Sequence, residues 1–431
     1  MVDLRQSHFG KLVASGGFLW CTGIEDTFIT APSPKTGRTL DEYELTGHYE
    51  HWREDIDLMA ELGVPAARYG IPWHRICPQP GVWDWQWADR PLERMLDRGI
   101  APIVDLVHYG LPAWIEPAYL HPDYPNHVAE FAARVAARFK GRIFAYTPLN
   151  EPRITAWYCG RLGWWPPFRR SWRGFVAVML GVCRGIIATL AALRSVDPEI
   201  LPVHVDATDH YHAEDPSLVL EAEHRQAIVF LALDLISGRI TDDHPLFGWL
   251  LSHGTTEGEL AWFRDHAVPL PWLGLNLYPM FTRKVLQRTA SGHTRISMIY
   301  STEQLVEDVT RLYWERYHAP LLISETASSG SIRKRRLWLD GSARAVQRLR
   351  AEGVPLLGYT WWPLFALVTW GYRQGDLPPQ SYFRQMGLWD LDPHQQRART
   401  SLVDRYQELV RGGTGSAGPL SAAASRAPVR S

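Results

Sequence analysis

The stretch Thr147-Pro148-Leu149-Asn150-Glu151-Pro152 decides how the chain is read. It closes a short apolar run over residues 143–146 that has the pattern of a strand, and the polar Asn150 and Glu151 fall where that strand ends. Pro152 has no N–H to give a ladder, so a loop is expected to begin there. A carboxylate on the last turn of a strand builds no core, but it holds an acid rigidly at the mouth of a parallel barrel. A second run, Pro320-Leu321-Leu322-Ile323-Ser324, delivers Glu325 in the same way.

Outward from these two runs, strand and helix patterns alternate. Apolar runs read as strands over residues 17–21, 64–71, 100–107, 143–149, 201–205, 272–275, 320–324 and 354–361. Helical periodicity is clearest where Trp52, Ile56, Met59 and Leu62 share one face, and again for Val128, Phe131, Val135 and Phe139. Further helices are expected over 89–98, 175–193, 302–316, 335–352 and 401–410, with a mostly helical stretch before the sixth strand. Residues 22–46 show no period and read as a long loop. Eight strand-then-helix units predict an α/β fold, a single (β/α)8 TIM barrel with long βα loops over residues 1–411. A doubly wound sheet would carry a glycine-rich phosphate loop after its first strand, and none follows residues 17–21. The end of the chain, residues 412–431, is rich in Gly, Ala, Ser and Pro and reads as a disordered tail or linker.

Composition narrows the function. Over 431 residues the formal charge is −1, which argues against a nucleic-acid or acidic-membrane partner. Cys21, Cys77, Cys159 and Cys183 are scattered without C-x-x-C spacing, so neither zinc nor redox chemistry is expected. No apolar segment marks the first residues as a secretory signal, and reduced cysteines in a cytoplasmic protein are the economical reading. Residues 175–193 are apolar enough to suggest a membrane span, but Arg184 interrupts them and a buried helix is expected. The chain's 20 tryptophans fit either a large aromatic core or platforms that stack on sugar faces.

Two carboxyl groups at separate strand ends suit the cleavage of glycosidic bonds, where one protonates the leaving oxygen and the other attacks the anomeric carbon or activates water. The acid needs a raised pKa, and the nucleophile must stay ionised beside a cation. Arg68, an arginine inside an apolar strand, is the expected cation, because it needs a carboxylate there. Asn150 is placed to bond a sugar 2-hydroxyl and Tyr278 to donate to the nucleophile, while His108 and the pair Trp361-Trp362 would hold the sugar ring. The competing readings are structural: Glu151 paired with Arg153, Glu325 capping the next segment, His108 a core histidine, Arg68 a plain ion-pair partner. No metal or organic cofactor is called for, since two carboxylates suffice.

At these residues the chain resembles glycoside hydrolase family 1, the β-glucosidase-like retaining enzymes. Phe18-Leu19-Trp20 is similar to the family's opening F-L-W, and Arg68-Tyr69-Gly70-Ile71-Pro72-Trp73 to R-F-S-I-S-W. His108-Tyr109-Gly110-Leu111-Pro112 resembles H-W-D-L-P, Thr147 to Pro152 T-F-N-E-P, and Asn276-Leu277-Tyr278 N-Y-Y. Ile323-Ser324-Glu325-Thr326 resembles I-T-E-N-G, and Gly358 through Trp362 G-Y-F-A-W. The resemblance implies Glu151 as acid/base, Glu325 as nucleophile and retention of configuration, with His108, Asn150, Tyr278, Trp362 and Trp370 on the carbohydrate and Arg68 and Asn276 in support.

Two departures stand out. Where the family carries a Gln that grips the sugar 3- and 4-hydroxyls, this chain reads Cys21-Thr22-Gly23-Ile24-Glu25-Asp26-Thr27-Phe28. Where the family has a Glu-Trp pair, this chain has Thr369-Trp370. An atypical sugar preference is therefore expected, with Glu25 or Asp26 as a substitute contact and Gly163-Trp164-Trp165-Pro166-Pro167 shaping the aglycone side. A retaining β-glycosidase is the leading expectation. A transglycosylase using the same residues and a non-catalytic carbohydrate-binding barrel are the alternatives.

Overall fold

The computed structural model describes residues 17–270 and 272–413. Eight parallel strands close into a barrel: β1 (Leu19–Gly23), β2 (Ala66–Gly70), β3 (Ala101–Asp105), β4 (Ala145–Thr147), β5 (Leu201–Ala207), β6 (Trp272–Asn276), β7 (Leu321–Thr326) and β8 (Leu356–Trp361). Each pairs with its neighbour in sequence, and β8 returns to β1. Helices His48–Glu61, Gln86–Asp97, Tyr124–Arg138, Trp172–Val196, Val219–Ile236, Gln304–Tyr317 and Ile332–Ala351 follow the first seven strands, and Ser401–Gly412 closes the ring.

Side-chain alternation along the strands divides the core in two. Leu19, Cys21, Ala66, Ile103, Ala145, Val203, Trp272 and Leu322 plug the barrel interior. The opposite faces, such as Ala67, Tyr69, Val104, Leu273 and Ile323, pack against the helices. The inner plug lies toward the amino-terminal ends of the strands, so the inward positions left at their carboxyl ends are polar: Arg68, Asp105 and Asn276.

Several expectations need correction. Residues 22–46 are not one loop: Phe28–Ile29 pairs antiparallel with Leu40–Asp41, and Glu42–Leu45 is a short helix capped by the Asp41 side chain. Pro152 does not start a loop but takes the first position of helix Pro152–Ala156, where its missing N–H costs no hydrogen bond. A three-stranded sheet of His210–Ala213, Arg283–Arg288 and Thr294–Met298 sits outside the barrel and was not expected. Trp172–Val196 is long and apolar enough to cross a membrane by composition, yet two-thirds of its most apolar window (67%) is buried against the protein. Its Gly181 and Gly185 admit the Tyr119 carbonyl and the Tyr124 ring, which a Cβ would meet at 2.2 and 2.4 Å. The expected tail, 412–431, lies outside the described residues beyond Gly413.

Candidate active site

The polar strand ends converge. Arg68 points inward from β2, in phase with Ala66, and is fully buried. Asp105 points inward from β3, in phase with Ile103. Arg68 Nη2 donates to Asp105 Oδ2 at 2.5 Å and to Asn150 Oδ1 at 3.1 Å, and its Nη1 donates to Glu325 Oε1 at 2.7 Å. In β7 the register slips between Ile323 and Glu325 against β6, a bulge that re-aims the Glu325 carboxyl. Tyr278 donates to its other oxygen at 2.8 Å.

Glu151 arrives differently. Past the end of β4, the Asn150 N–H reaches the Val107 carbonyl at 2.9 Å and the Glu151 N–H reaches the Val205 carbonyl at 3.0 Å, so the backbone is held between the ends of neighbouring strands. Glu151 then turns left-handed at φ 48°, a conformation that non-glycine residues rarely take and that recurs at functional sites. Its Oε1 accepts from Asn276 Nδ2 at 2.8 Å and its Oε2 accepts from the Tyr109 hydroxyl. Arg153 turns away to Asp209 at 3.1 Å, so the Glu151–Arg153 pairing is absent. Glu325 caps no segment: the next helix, Ile332–Ala351, is capped by Ser331.

The electrostatics follow from burial and these partners. Burial, opposed by Arg68 and reinforced by the neighbouring Glu151 charge, leaves Glu325 pushed up to about 8. Burial also raises Glu151, against the hydrogen bonds from Tyr109 and Asn276. Asp105 is just as buried, yet Arg68 and His108 hold it below the usual carboxylate range. The two strand-end carboxyls thus share a confined site in which the second ionisation is disfavoured, and the guanidinium lies on the Glu325 side.

The remaining expected residues gather beside this pair. His108 presses Nδ1 on Asp26, and its ring stacks on Trp362 at 5.9 Å between centroids. Burial lowers the proton affinity of His108, while Asp26 and Asp105 raise it well above the ordinary value. Opposing that, His108 Nε2 faces the Asn150 amide nitrogen at 2.9 Å. Arg68 occupies the Asn150 oxygen and so fixes that amide, and an imidazolium would set two donors against each other. The hydrogen-bond geometry decides for a neutral ring protonated on Nδ1. Trp362 donates from Nε1 to Glu25 Oε2 at 3.0 Å, and Thr27 donates to Glu25 Oε1 at 2.6 Å. Asp26 has room because position 70 is glycine: a Cβ there would lie 1.9 Å from its Oδ2. Glu25, Asp26 and His108 form the one cluster of potential metal ligands among the described residues, but a cation there would have to displace the Asp26–His108 contact.

Not every expected residue meets the cleft. Asn150 and Trp362 are fully covered, and Trp361 is a core residue. The reason is a slip in register at Leu356–Gly358, which turns Trp361 outward, where its Nε1 donates to the Met386 carbonyl. Trp370 stays half-buried, edge-on to Tyr109, Tyr158 and Trp165. Asp105 and Tyr109 were missed. Asp105 was legible as the inward position two residues after Ile103; Tyr109 carried no signal beyond being a hydroxyl-bearing ring next to His108.

Comparison with known proteins agrees with this geometry. The family model for glycosyl hydrolase family 1 matches residues 21–219, which take in Arg68, His108 and Glu151. A bifunctional beta-D-glucosidase/beta-D-fucosidase from Bifidobacterium breve is 26% identical over 91% of this chain and 97% of its own length. Over somewhat less than half of its length, then, the chain matches the glycosyl hydrolase family 1 model. Beta-glucosidase A of Thermotoga maritima is 31% identical to it over 31% of each chain. The fold superposes on the AHE enzyme from Alicyclobacillus herbarius with a TM-score of 0.78 at 23% identity, covering 92% of this chain and 98% of that one. On a Thermotoga maritima beta-glucosidase in complex with glucoimidazole the TM-score is 0.79 at 19% identity, with the same coverage. The chain is a glycoside hydrolase of the β-glycosidase kind.

Proposed function

We propose that this protein is a member of glycosyl hydrolase family 1 that cleaves β-glycosides with retention, Glu325 acting as nucleophile and Glu151 as acid and then base. The observation that carries the reading is the asymmetry of the pair. Burial raises both carboxyls, but Glu325 bonds the Arg68 cation and Tyr278, which favour its charge, whereas Glu151 has only neutral donors, so the one proton the pair keeps rests on Glu151. In the first step a Glu325 oxygen bonds the anomeric carbon as the bond to the leaving oxygen breaks, and that oxygen takes the Glu151 proton. In the second, water gives a proton to Glu151 and its oxygen displaces the Glu325 carboxylate. Asn276 and Asn150 hold the two carboxyls in one network and set their orientation.

The sugar side supports an unusual preference, since Glu25 is a buried acceptor near the place where the family has an amide. The Bifidobacterium relative's two named sugars make aryl β-glucosides and β-fucosides the first substrates to try. A pocket of about 320 Å³ lined by Tyr109 together with Ile29, Leu111, Ile115 and Phe168 supports an apolar aglycone. The same pocket favours a second reading, transfer of the glycosyl group to an apolar alcohol. Products formed in the presence of such an acceptor separate the two. The four free, buried cysteines support a cytoplasmic setting.

The test is trapping with a 2-deoxy-2-fluoro aryl β-glycoside followed by peptide mapping. A label on Glu325 is expected; a label elsewhere, or turnover that persists in Glu325→Gln, overturns the assignment. Sugar binding without turnover in the unaltered protein would make it a non-catalytic carbohydrate-binding barrel.

A further inference from the structure

Tyr109, at the heart of the site, takes no part in the two steps above. Tyr109 stands where the family motif carries tryptophan, and it is buried to 3% exposure with φ at 69°, in the left-handed region. Three contacts fix it. Its ring lies between Trp165, at 5.0 Å, and Trp370, at 5.3 Å between centroids. Its backbone carbonyl accepts from the Tyr119 hydroxyl at 2.7 Å. Its own hydroxyl lies between Asn150 and Glu151.

The direction of that last bond is forced. Arg68 can only donate, and it donates to Asn150 Oδ1, where Asn276 donates too. The Asn150 amide nitrogen therefore faces the other way and donates to the Tyr109 oxygen at 3.0 Å. The Tyr109 proton is left with one acceptor, Glu151 Oε2. An O–H donated to a carboxylate favours its charged form. An indole at this place would have no hydroxyl to donate.

We infer that Tyr109 is a positioning residue for the acid/base carboxyl: its hydroxyl orients Glu151 and holds it nearer to the ionised form that accepts a proton from water in the second step. The inference rests on the double-displacement reading above. Burial raises Glu151, and Tyr109 heads the groups that oppose this. The chain thus relays the fixed charge of Arg68 through Asn150 and Tyr109 to a carboxyl with which Arg68 has no direct contact.

The experiment is the side-chain carboxyl titration of Glu151 by carbon NMR in the unaltered protein and in Tyr109→Phe, with the pH profile of kcat/KM for an aryl β-glycoside run on both. The expected result is a Glu151 titration about one pH unit higher in Tyr109→Phe, a tenfold change in its ionisation constant, with the basic limb of the profile moved by the same amount. A titration that stays in place overturns the inference, even if the variant is slower. The NMR readout needs no turnover, so a shifted titration in a protein that hydrolyses nothing would keep this inference and sink the glycosidase reading. Should Tyr109→Phe not fold, Asn150→Asp in the unaltered background serves instead. Its carboxylate cannot donate to the Tyr109 oxygen, so the Glu151 titration must move, and a Glu151 unaffected there overturns the relay.

Discussion

Glu325 and Asp206 are both buried carboxyls at the rim of the same barrel, and burial drives each up to about 8. They differ in which way the strand turns them. Glu325 is re-aimed inward by the bulge in β7 and meets Arg68, Tyr278 and the field of Glu151. Asp206 follows Val205, an interior residue of β5, and so faces outward to the helices, within reach of the Arg153 charge and near enough to Tyr313 to help keep that hydroxyl protonated. One of its oxygens accepts from the Ala207 N–H and the other has no hydrogen-bond partner. A perturbed pKa therefore does not by itself mark a reactive group. What marks it is convergence: donors, a cation and a second carboxyl placed around one point in the cleft.

The comparison breaks most directly under paired amide substitutions. Glu325→Gln is expected to lower kcat on an aryl β-glycoside by about 10⁴-fold or more, the scale on which loss of a covalent nucleophile acts. Asp206→Asn should leave kcat within roughly threefold, since Asp206 makes no hydrogen bond to a cleft residue and only the field of Glu151 reaches it. Comparable losses in the two variants, read in one steady-state assay, would erase the distinction between inward and outward carboxyls. A second large effect concerns Arg68. Arg68→Met strands the buried Asp105 and Glu325 charges, and urea unfolding at neutral pH should show about 3–5 kcal/mol of lost stability. A loss below about 1 kcal/mol would mean that the guanidinium does not hold the site together.

Asp206 itself gives the next effect, in stability rather than activity. Its folded pKa is raised, so between about pH 4 and about pH 8 the native state keeps a proton that the unfolded chain has lost. Stability must then fall as pH rises through that window, by at most about 1.4 kcal/mol per pH unit for this one proton. Asp206→Asn should match the unaltered protein below pH 4 and exceed it increasingly toward pH 8. Parallel stability curves across that range would show that Asp206 ionises normally and that Arg153 compensates it.

Much of this contrast is legible in the sequence. The eight alternating units gave the barrel, and period-two alternation places Arg68 in phase with Ala66 and Asp105 in phase with Ile103. The same parity puts Asp206 out of phase with Val203 and Val205, a sign that was there to read. Parity failed where a strand gains a residue: the slip at Leu356–Gly358 turned Trp361 into the core and left Trp362 behind His108. The hairpin of Phe28–Ile29 with Leu40–Asp41 has strands too short for any period to appear. Tyr109 could not be read because its role depends on which way the Asn150 amide faces, and that is set by Arg68 from another strand.

Glu25 offers the smallest effect and the sharpest refinement. Like Asp206 it has no ion-pair partner among the described residues, and like Glu325 it faces the cleft, where its field reaches Tyr278 and Glu325. Both of its oxygens already accept a hydrogen bond, from Thr27 and from Trp362, and a carboxylate has lone pairs left for sugar hydroxyls but no proton to donate. An amide in its place would accept at one atom and donate at the other, which rewards a different hydroxyl geometry. Glu25→Gln is therefore expected to shift the ratio of kcat/KM between aryl β-glucoside and aryl β-fucoside by about tenfold, near 1.4 kcal/mol, while labelling of Glu325 is unchanged. A ratio that moves less than about twofold would place Glu25 with Asp206, as a buried carboxyl that shapes the barrel rim without touching the sugar. A moved ratio would show that inward orientation, rather than an ion pair, is what makes a buried carboxyl functional in this barrel.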